Sequence, residues 1–221
     1  EAQRTAPSHY IRCGLETVLR AYHVAKYRSE YLYRQGVKRQ MGKQIGQTEF
    51  SRAKPQKIWL YGNHAVKAAI YNPDREVLKI VVTQTARGRL GEMLTYAKDH
   101  LGIETQTIGP NQIDSLFAKG AVHQGIGLFT KPLKNVDLVE SCSLNSNTHQ
   151  TVVLLDQVTD PQNFGAIIRS AAAFGAKAIV VQERHTPRET GLLAKIASGA
   201  LDRIPIVRTV NLSRALTKLA E

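Results

Sequence analysis

From Ile58 onward, apolar and polar positions alternate in short blocks that can be read as strands and helices. Val77–Val82 (VLKIVV) is apolar, β-branched and too short for a helix, so it predicts a buried strand. Gly88–His100 places Leu90, Met93, Leu94 and Ala97 on one helical face. Ile103–Ile108 predicts another strand, Pro110–Phe117 a short helix with proline at its start, and Ile126–Thr130 a closing strand. Residues 134–150 (KNVDLVESCSLNSNTHQ) turn polar and predict a linker. Beyond it the spacing predicts strand Thr151–Leu155, helix Phe164–Phe174, strand Ala178–Gln182, helix Thr190–Ser198, strand Ile204–Val207 and a last helix from about Leu212. Strand, helix, strand order implies parallel pairing, so the fold class is α/β. Three strands are only part of an ordinary sheet, and the sequence stops inside a helix, so this domain is expected to be incomplete.

The resulting partition is a basic N-terminal arm (1–54), a small α/β domain (55–133), a linker (134–150) and a second α/β domain (151–221). In the arm, Ile11, Leu15, Val18, Tyr22 and Ala25 recur at helical spacing. Charge sharpens this picture, because the arm holds 11 Lys+Arg against 4 acids, a net +7 of the chain's +12. Five of the eight tyrosines also lie there. Interleaved cations and tyrosines suit phosphate contact and base stacking, although terminal basic segments are commonly solvated extensions. An organelle-targeting presequence, such as a mitochondrial one, is disfavoured by the four acids and only three serines.

At 221 residues and 43% hydrophobic content the chain can bury a core without staples, which excludes a wholly disordered protein. Cys13 and Cys142 are too far apart in sequence to suggest a metal cluster or a disulfide framework, so no metal is expected. No apolar run approaches the ~18 residues of a transmembrane helix, which argues against an integral membrane protein and leaves a peripheral role open, although no membrane partner is expected. No Gly-x-Gly-x-x-Gly follows a predicted strand, which argues against a nicotinamide dehydrogenase.

The stretch richest in chemistry is Leu154–Ala176, LLDQVTDPQNFGAIIRSAAAFGA. A buried strand runs into a polar loop at Asp156–Asn163, the place where α/β folds gather ligands. Gly165 permits close approach, Asn163 offers a donor and an acceptor, and Arg169 lies one turn beyond Gly165. Ile167, Ala171 and Phe174 are expected to pack on the sheet, leaving Arg169 reachable between Ala166 and Ala173, where small residues would also let another helix or subunit approach. Spacing alone leaves Asn163 an ordinary helix cap and Arg169 a solvated residue.

The whole string resembles the first signature motif of the SpoU/TrmH family of RNA ribose 2′-O-methyltransferases, with Asn163, Gly165, Arg169 and the Ala-Ala-x-Phe-Gly ending at Gly175 in place. Tyr61-Gly62-Asn63-His64-Ala65-Val66 and Val122-His123-Gln124-Gly125-Ile126 resemble the opening and closing stretches of that family's small substrate-binding domain. Lys195-Ile196-Ala197-Ser198-Gly199-Ala200 approximates a further family stretch. The resemblance covers about residues 56–221 and is strongest to the subgroup acting on a guanosine ribose of bacterial large-subunit rRNA.

The resemblance implies a ribosomal-protein-like α/β substrate-binding domain followed by part of a SPOUT-type (trefoil-knot) parallel α/β domain. It implies S-adenosylmethionine as methyl donor, rRNA as partner and a homodimer formed through the methyltransferase domain. Asn163 and Arg169 become the catalytic candidates. His64, His123, Gln124, Arg184, Lys195 and Ser198 become RNA-binding candidates, with Gly165 and Gly199 shaping loops. Donor-binding residues remain unassigned, because family members carry them in a later segment. Two function classes stay open: a ribose 2′-O-methyltransferase, or a non-catalytic RNA-binding remnant without a donor pocket.

Overall fold

Ile58–Tyr61 (β1) leads through Gly62 into Asn63–Tyr71 (α1), followed by Val77–Val82 (β2), Gln84–Arg89 (α2), Gly91–Leu101 (α3), Thr105–Thr107 (β3), Pro110–Asp114 (α4) and Ile126–Thr130 (β4). The structure is a computed structural model describing residues 57–142 and 150–220, so the expectations for the arm lie outside it. β4 sits between β1 and β2, antiparallel to both, and β3 pairs parallel with β2. The period of two along these strands sorts their side chains. Leu60, Ile80, Val82, Ile126 and Leu128 are fully buried in one cluster with Ala65, Val66, Ala69 and Ile70 of α1 and Met93, Leu94 and Ala97 of α3. Trp59, Tyr61, Phe117 and Phe129 form a separate aromatic group with ring centroids 4.9–6.1 Å apart. Gly127 makes room for it, since a Cβ there would stand 2.8 Å from the Phe117 ring.

The single helix expected over Gly88–His100 is two helices. The Thr83 hydroxyl accepts from Ala86 N and starts α2, and Leu90 both ends α2 and begins α3.

The second sheet is built from Val152–Leu155 (β5), Ala178–Gln182 (β6) and Ile206–Thr209 (β7), all parallel and in that order. Central β6 is buried on both faces, as a run of apolar residues in a parallel sheet should be. Ile179 and Val181 pack with Pro161–Ala173 (α6) and Gly191–Ile196 (α7). Ala178 and Val180 pack with Leu138–Cys142 (α5) and Leu212–Ala220 (α8).

Two expectations are corrected here. The helix α6 starts at Pro161, because Asp160 and not Asn163 is its cap: the Asp160 carboxylate accepts from Asn163 N at 2.8 Å. Its buried stripe is accordingly Phe164, Ile168 and Ala171, while Phe174, which follows the last turn, is 89% exposed. Within the stretch read as a linker, Asp137 accepts from Val139 N and Glu140 N and starts α5, which buries Cys142. Asn135 also exchanges hydrogen bonds with the Arg208 backbone, fastening this stretch along β7.

The sheets do not form independent cores. Residues 57–142 and 150–220 belong to one compact unit, and one apolar cluster joins Leu60 and Val66 to Phe164, Ile168, Leu193 and Ala197.

Candidate functional site

The joint between the two sheets brings together four of the sequence-nominated residues, Gln124, Lys195, His64 and Gly199. After β1, Gly62 takes φ +88°, and the Lys195 side chain of α7 lies across its bare Cα. Lys195 Nζ donates to Gln124 Oε1 at 2.8 Å, and the same oxygen accepts from Asn63 N at 2.9 Å. One side-chain amide thus ties the β4 approach, the start of α1 and α7 together. Partial burial pushes the Lys195 ammonium below its ordinary pKa. Gly199 approaches so closely that a Cβ there would stand 2.7 Å from the His64 carbonyl oxygen and 2.9 Å from the Ala68 Cβ. Gln124 and Ser198 are non-glycine residues at φ +59° and +50°, and each is followed by a glycine that is also left-handed. Backbone of this kind persists only where the surroundings impose it.

His64 is exposed at the start of α1, and Ser198 is exposed where α7 ends. His123 is held differently. Its Nδ1 accepts from Gly125 N at 3.1 Å and its Nε2 pairs with Asp114 at 2.7 Å, while the ring stacks on Phe117. Both ring nitrogens are therefore engaged within the small module, and the Nε2–H tautomer is assigned by the backbone donor.

The other group lies on α6. Gly165 packs on α7, with a Cβ placed there only 2.6 Å from Ile196 Cγ2. Asn163 and Arg169 are both exposed on this helix. Six residues at 3.6 per turn put them about 120° apart around the axis, so they do not share a face. Arg169 has no hydrogen bond or ion pair among the described residues, which leaves its five donors available to a ligand. Arg184 is exposed in the single turn Glu183–His185 just beyond β6. Among the described residues no hydrogen bond or ion pair joins Arg184 to the Gln124–Lys195 contact.

Arg75 escaped the sequence reading. It sits in the turn before β2, only 5% exposed, and its Nε donates to Asp202 at 2.8 Å. Its Nη1 pairs with Glu189, whose other oxygen accepts from Leu133 N. Burial works to lower the guanidinium pKa, but hydrogen bonding and charge from Asp202, then Glu189, outweigh it and hold the pKa above its ordinary value. A lone arginine in an Asn-Pro-Asp-Arg turn carries no periodic signal. Its acidic partners are more than a hundred residues away, so only the fold reveals the clamp.

An exposed guanidinium in the third turn of α6 can hold a phosphate bidentately or stabilise a developing alkoxide. The family model "SpoU rRNA Methylase family" matches residues 150–221, and the model "RNA 2'-O ribose methyltransferase substrate binding" matches residues 59–136. The chain belongs to the SpoU family. Among SpoU relatives it is 37% identical over 164 residues to the 23S rRNA (guanosine-2'-O-)-methyltransferase RlmB of Photobacterium profundum, covering 73% of this chain and 66% of that protein. It is 38% identical over 169 residues to an uncharacterized tRNA/rRNA methyltransferase of Synechocystis, covering 73% of this chain and 42% of that one. The fold matches the AdoMet-bound rRNA methyltransferase of Sinorhizobium meliloti with TM-score 0.58 and 20% identity, over 74% of this chain and 59% of that one. It also matches the SpoU methyltransferase AviRb of Streptomyces viridochromogenes in complex with AdoMet, with TM-score 0.58 and 18% identity over 73% and 58%. The chain thus spans under two thirds of these relatives' lengths.

No helix among the described residues is long and apolar enough to cross a membrane, and no group of three or more His, Cys, Asp or Glu among them could hold a metal ion.

Proposed function

We propose that this SpoU chain takes part in S-adenosylmethionine-dependent 2′-O-methylation of a guanosine ribose in large-subunit rRNA. The observation that carries this reading is the packing of α6, bearing the exposed and unpaired Arg169, on the helix whose Lys195 grips the substrate-binding module through Gln124. RNA held by the small module is thereby referred to the chemistry on α6 through one rigid joint. Arg169 holds the phosphate beside the target ribose and stabilises its 2′-oxygen as the hydroxyl proton passes to solvent water. Asn163 presents its amide from the first turn of the same helix, on a different bearing, and orients the loop that precedes it. His64, Gln124, Lys195 and Ser198 hold the RNA-facing side of the joint, with Arg184 contacting the strand farther out.

The methyl donor supplies a sulfonium carbon to the ribose oxygen. Two clefts among the described residues do not fit it: Arg208, Arg214 and Lys218 outnumber Asp137 around one, and Lys67 and Arg203 flank the other, whose one acid, Asp202, is paired with Arg75, so these side chains oppose a cationic group. No step is therefore assigned to donor contacts in these residues. The exposed Phe174, with Ala173 beside it, is a surface on which a second copy would pack, and the expected setting is the bacterial cytoplasm.

Transfer of label from S-[methyl-3H]adenosylmethionine to unmodified large-subunit rRNA tests the reading, with 2′-O-methylguanosine expected in the digest. RNA retention without any transfer to ribose would assign the chain an RNA-binding role alone.

A further inference from the structure

A cleft of about 350 Å3 opens across the joint, lined by His64, Lys67, Tyr71 and Asn72 from the small module and by Ser198 and Arg203 from the other. That volume lies at the lower end of the range for small-ligand sites. Beside the cleft Gly199 packs against the His64 carbonyl and Ala68 with no room for a side chain, which fixes the two modules against each other there. Lys67 and Arg203 are exposed, come from different modules and have no ion-pair partner among the described residues. The one acid on the cleft, Asp202, is already compensated: its Oδ1 accepts from both Arg75 Nε and Asn72 Nδ2. The cleft therefore presents net positive charge. At its rim Tyr71 is 42% exposed, yet its ring is not free to turn. It packs on Tyr96 at 4.4 Å, and Tyr96 stacks on His100 at 4.2 Å, so two further rings back the exposed one.

We propose that this cleft seats one unpaired nucleotide of a single-stranded RNA segment, with its base on Tyr71 and its flanking phosphates on Lys67 and Arg203. The inference rests on the reading of the chain as RNA-acting, and it names a subsite that reading does not contain. A stacked aromatic rim with cations on both sides matches how unpaired bases are held, because every base offers a flat face while the phosphates supply charge. A duplex buries its bases and cannot present one to Tyr71. Because the cations come from both modules, the seated nucleotide bridges them at the joint itself, and the preset ring leaves little ordering to be done on binding.

The test is binding of the full chain to a fluorescein-labelled single-stranded RNA of about 12 nucleotides, followed by anisotropy across salt. Tyr71→Ala is expected to weaken binding about 5- to 100-fold, with the salt slope unchanged and Tyr71→Phe restoring affinity. Lys67→Ala combined with Arg203→Ala is expected to flatten the log–log salt slope by about 0.7 for each phosphate that is no longer neutralised. Binding of the matched duplex should not respond to Tyr71→Ala. All three side chains are exposed, so unchanged thermal melting will show that the variants fold. If these variants bind the single strand as the native chain does, the cleft is not the subsite, and the RNA-acting reading survives without it. If the native chain binds neither RNA, that reading fails and takes the subsite with it. Normal RNA binding by Tyr71→Ala together with altered sedimentation would make the rim a protein contact and overturn the proposal.

Discussion

Lys195 lies across Gly62 so closely that a Cβ on the glycine would stand 2.6 Å from Lys195 Cδ and 2.7 Å from its Nζ. Two separate penalties therefore meet at one position. The backbone at φ +88° and ψ 142° is strained for any L side chain, and the added methyl displaces the lysine from Gln124. Gly62→Ala should cost about 2–4 kcal/mol in urea unfolding, combining about 1–3 kcal/mol of strain with the broken Lys195–Gln124 hydrogen bond. The double variant Gly62→Ala with Lys195→Ala should recover only the steric part. Full recovery in the double-mutant cycle would show that the backbone strain is negligible and the assignment wrong.

The strands β2, β4 and β6 match the ranges expected from short apolar runs, most simply in β6, where burial on both faces of a parallel sheet writes itself as an unbroken apolar sequence. The first turn of α6 is less legible. Asp160 and Asn163 are both good caps, and only the hydrogen bond from Asn163 N shows which one acts, shifting the buried stripe from Ile167, Ala171 and Phe174 to Phe164, Ile168 and Ala171. The candidate site is legible as residue types without their meeting. Gln124 stands 71 positions from Lys195, and no local period reports a contact at that separation. Gly199 reads in sequence as a loop glycine, but its partner, the His64 carbonyl, emerges only when α1 and α7 pack.

Arg75 joins the turn before β2 to the segments on either side of α7 through Asp202 and Glu189. Its side chain is fully buried, and so is that of Asp202 at 1% exposure, so removing the cation strands a buried carboxylate. Arg75→Ala is expected to destabilise the chain by about 3–5 kcal/mol, the range for breaking one partner out of a buried pair. Glu189→Gln, which keeps the hydrogen-bonding shape and leaves Asp202 in place, should cost clearly less. Urea midpoints with hydrogen exchange at Asn72–Lys131 measure both, and equal losses in the two variants would show that Asp202 is not the dominant partner.

Arg169 is exposed and unpartnered among the described residues, so its replacement should leave stability within about 0.5 kcal/mol. Its effect belongs to the chemistry. In the methyl-transfer assay Arg169→Ala should lower turnover about 100- to 1,000-fold, the loss typical of removing one donor to a developing oxyanion. Arg169→Lys keeps the charge and loses the planar fork, so it should recover only part of that loss. Near-normal turnover in Arg169→Ala would remove this side chain from the reaction altogether.

Cys142 is 5% exposed at the end of α5, and burial raises its thiol pKa above the ordinary value of 9.0, with Lys177 partly opposing the shift. Below that pH the thiol is neutral in both folded and unfolded chains and contributes no pH dependence. Above it the unfolded chain releases the proton while the folded one retains it, so the unfolded state binds fewer protons and stability falls as pH rises towards the folded pKa. Tyr61, also raised by burial, adds a loss of the same sign above 10.0. Lys195, whose pKa is lowered, contributes the opposite sign on approaching 10.5. Subtracting the Cys142→Ala unfolding curve from the native one at each pH isolates the thiol. The difference should be flat from pH 7 to the onset near 9.0 and then decline, and a difference that stays flat to pH 10.5 would show that α5 does not shield the sulfur.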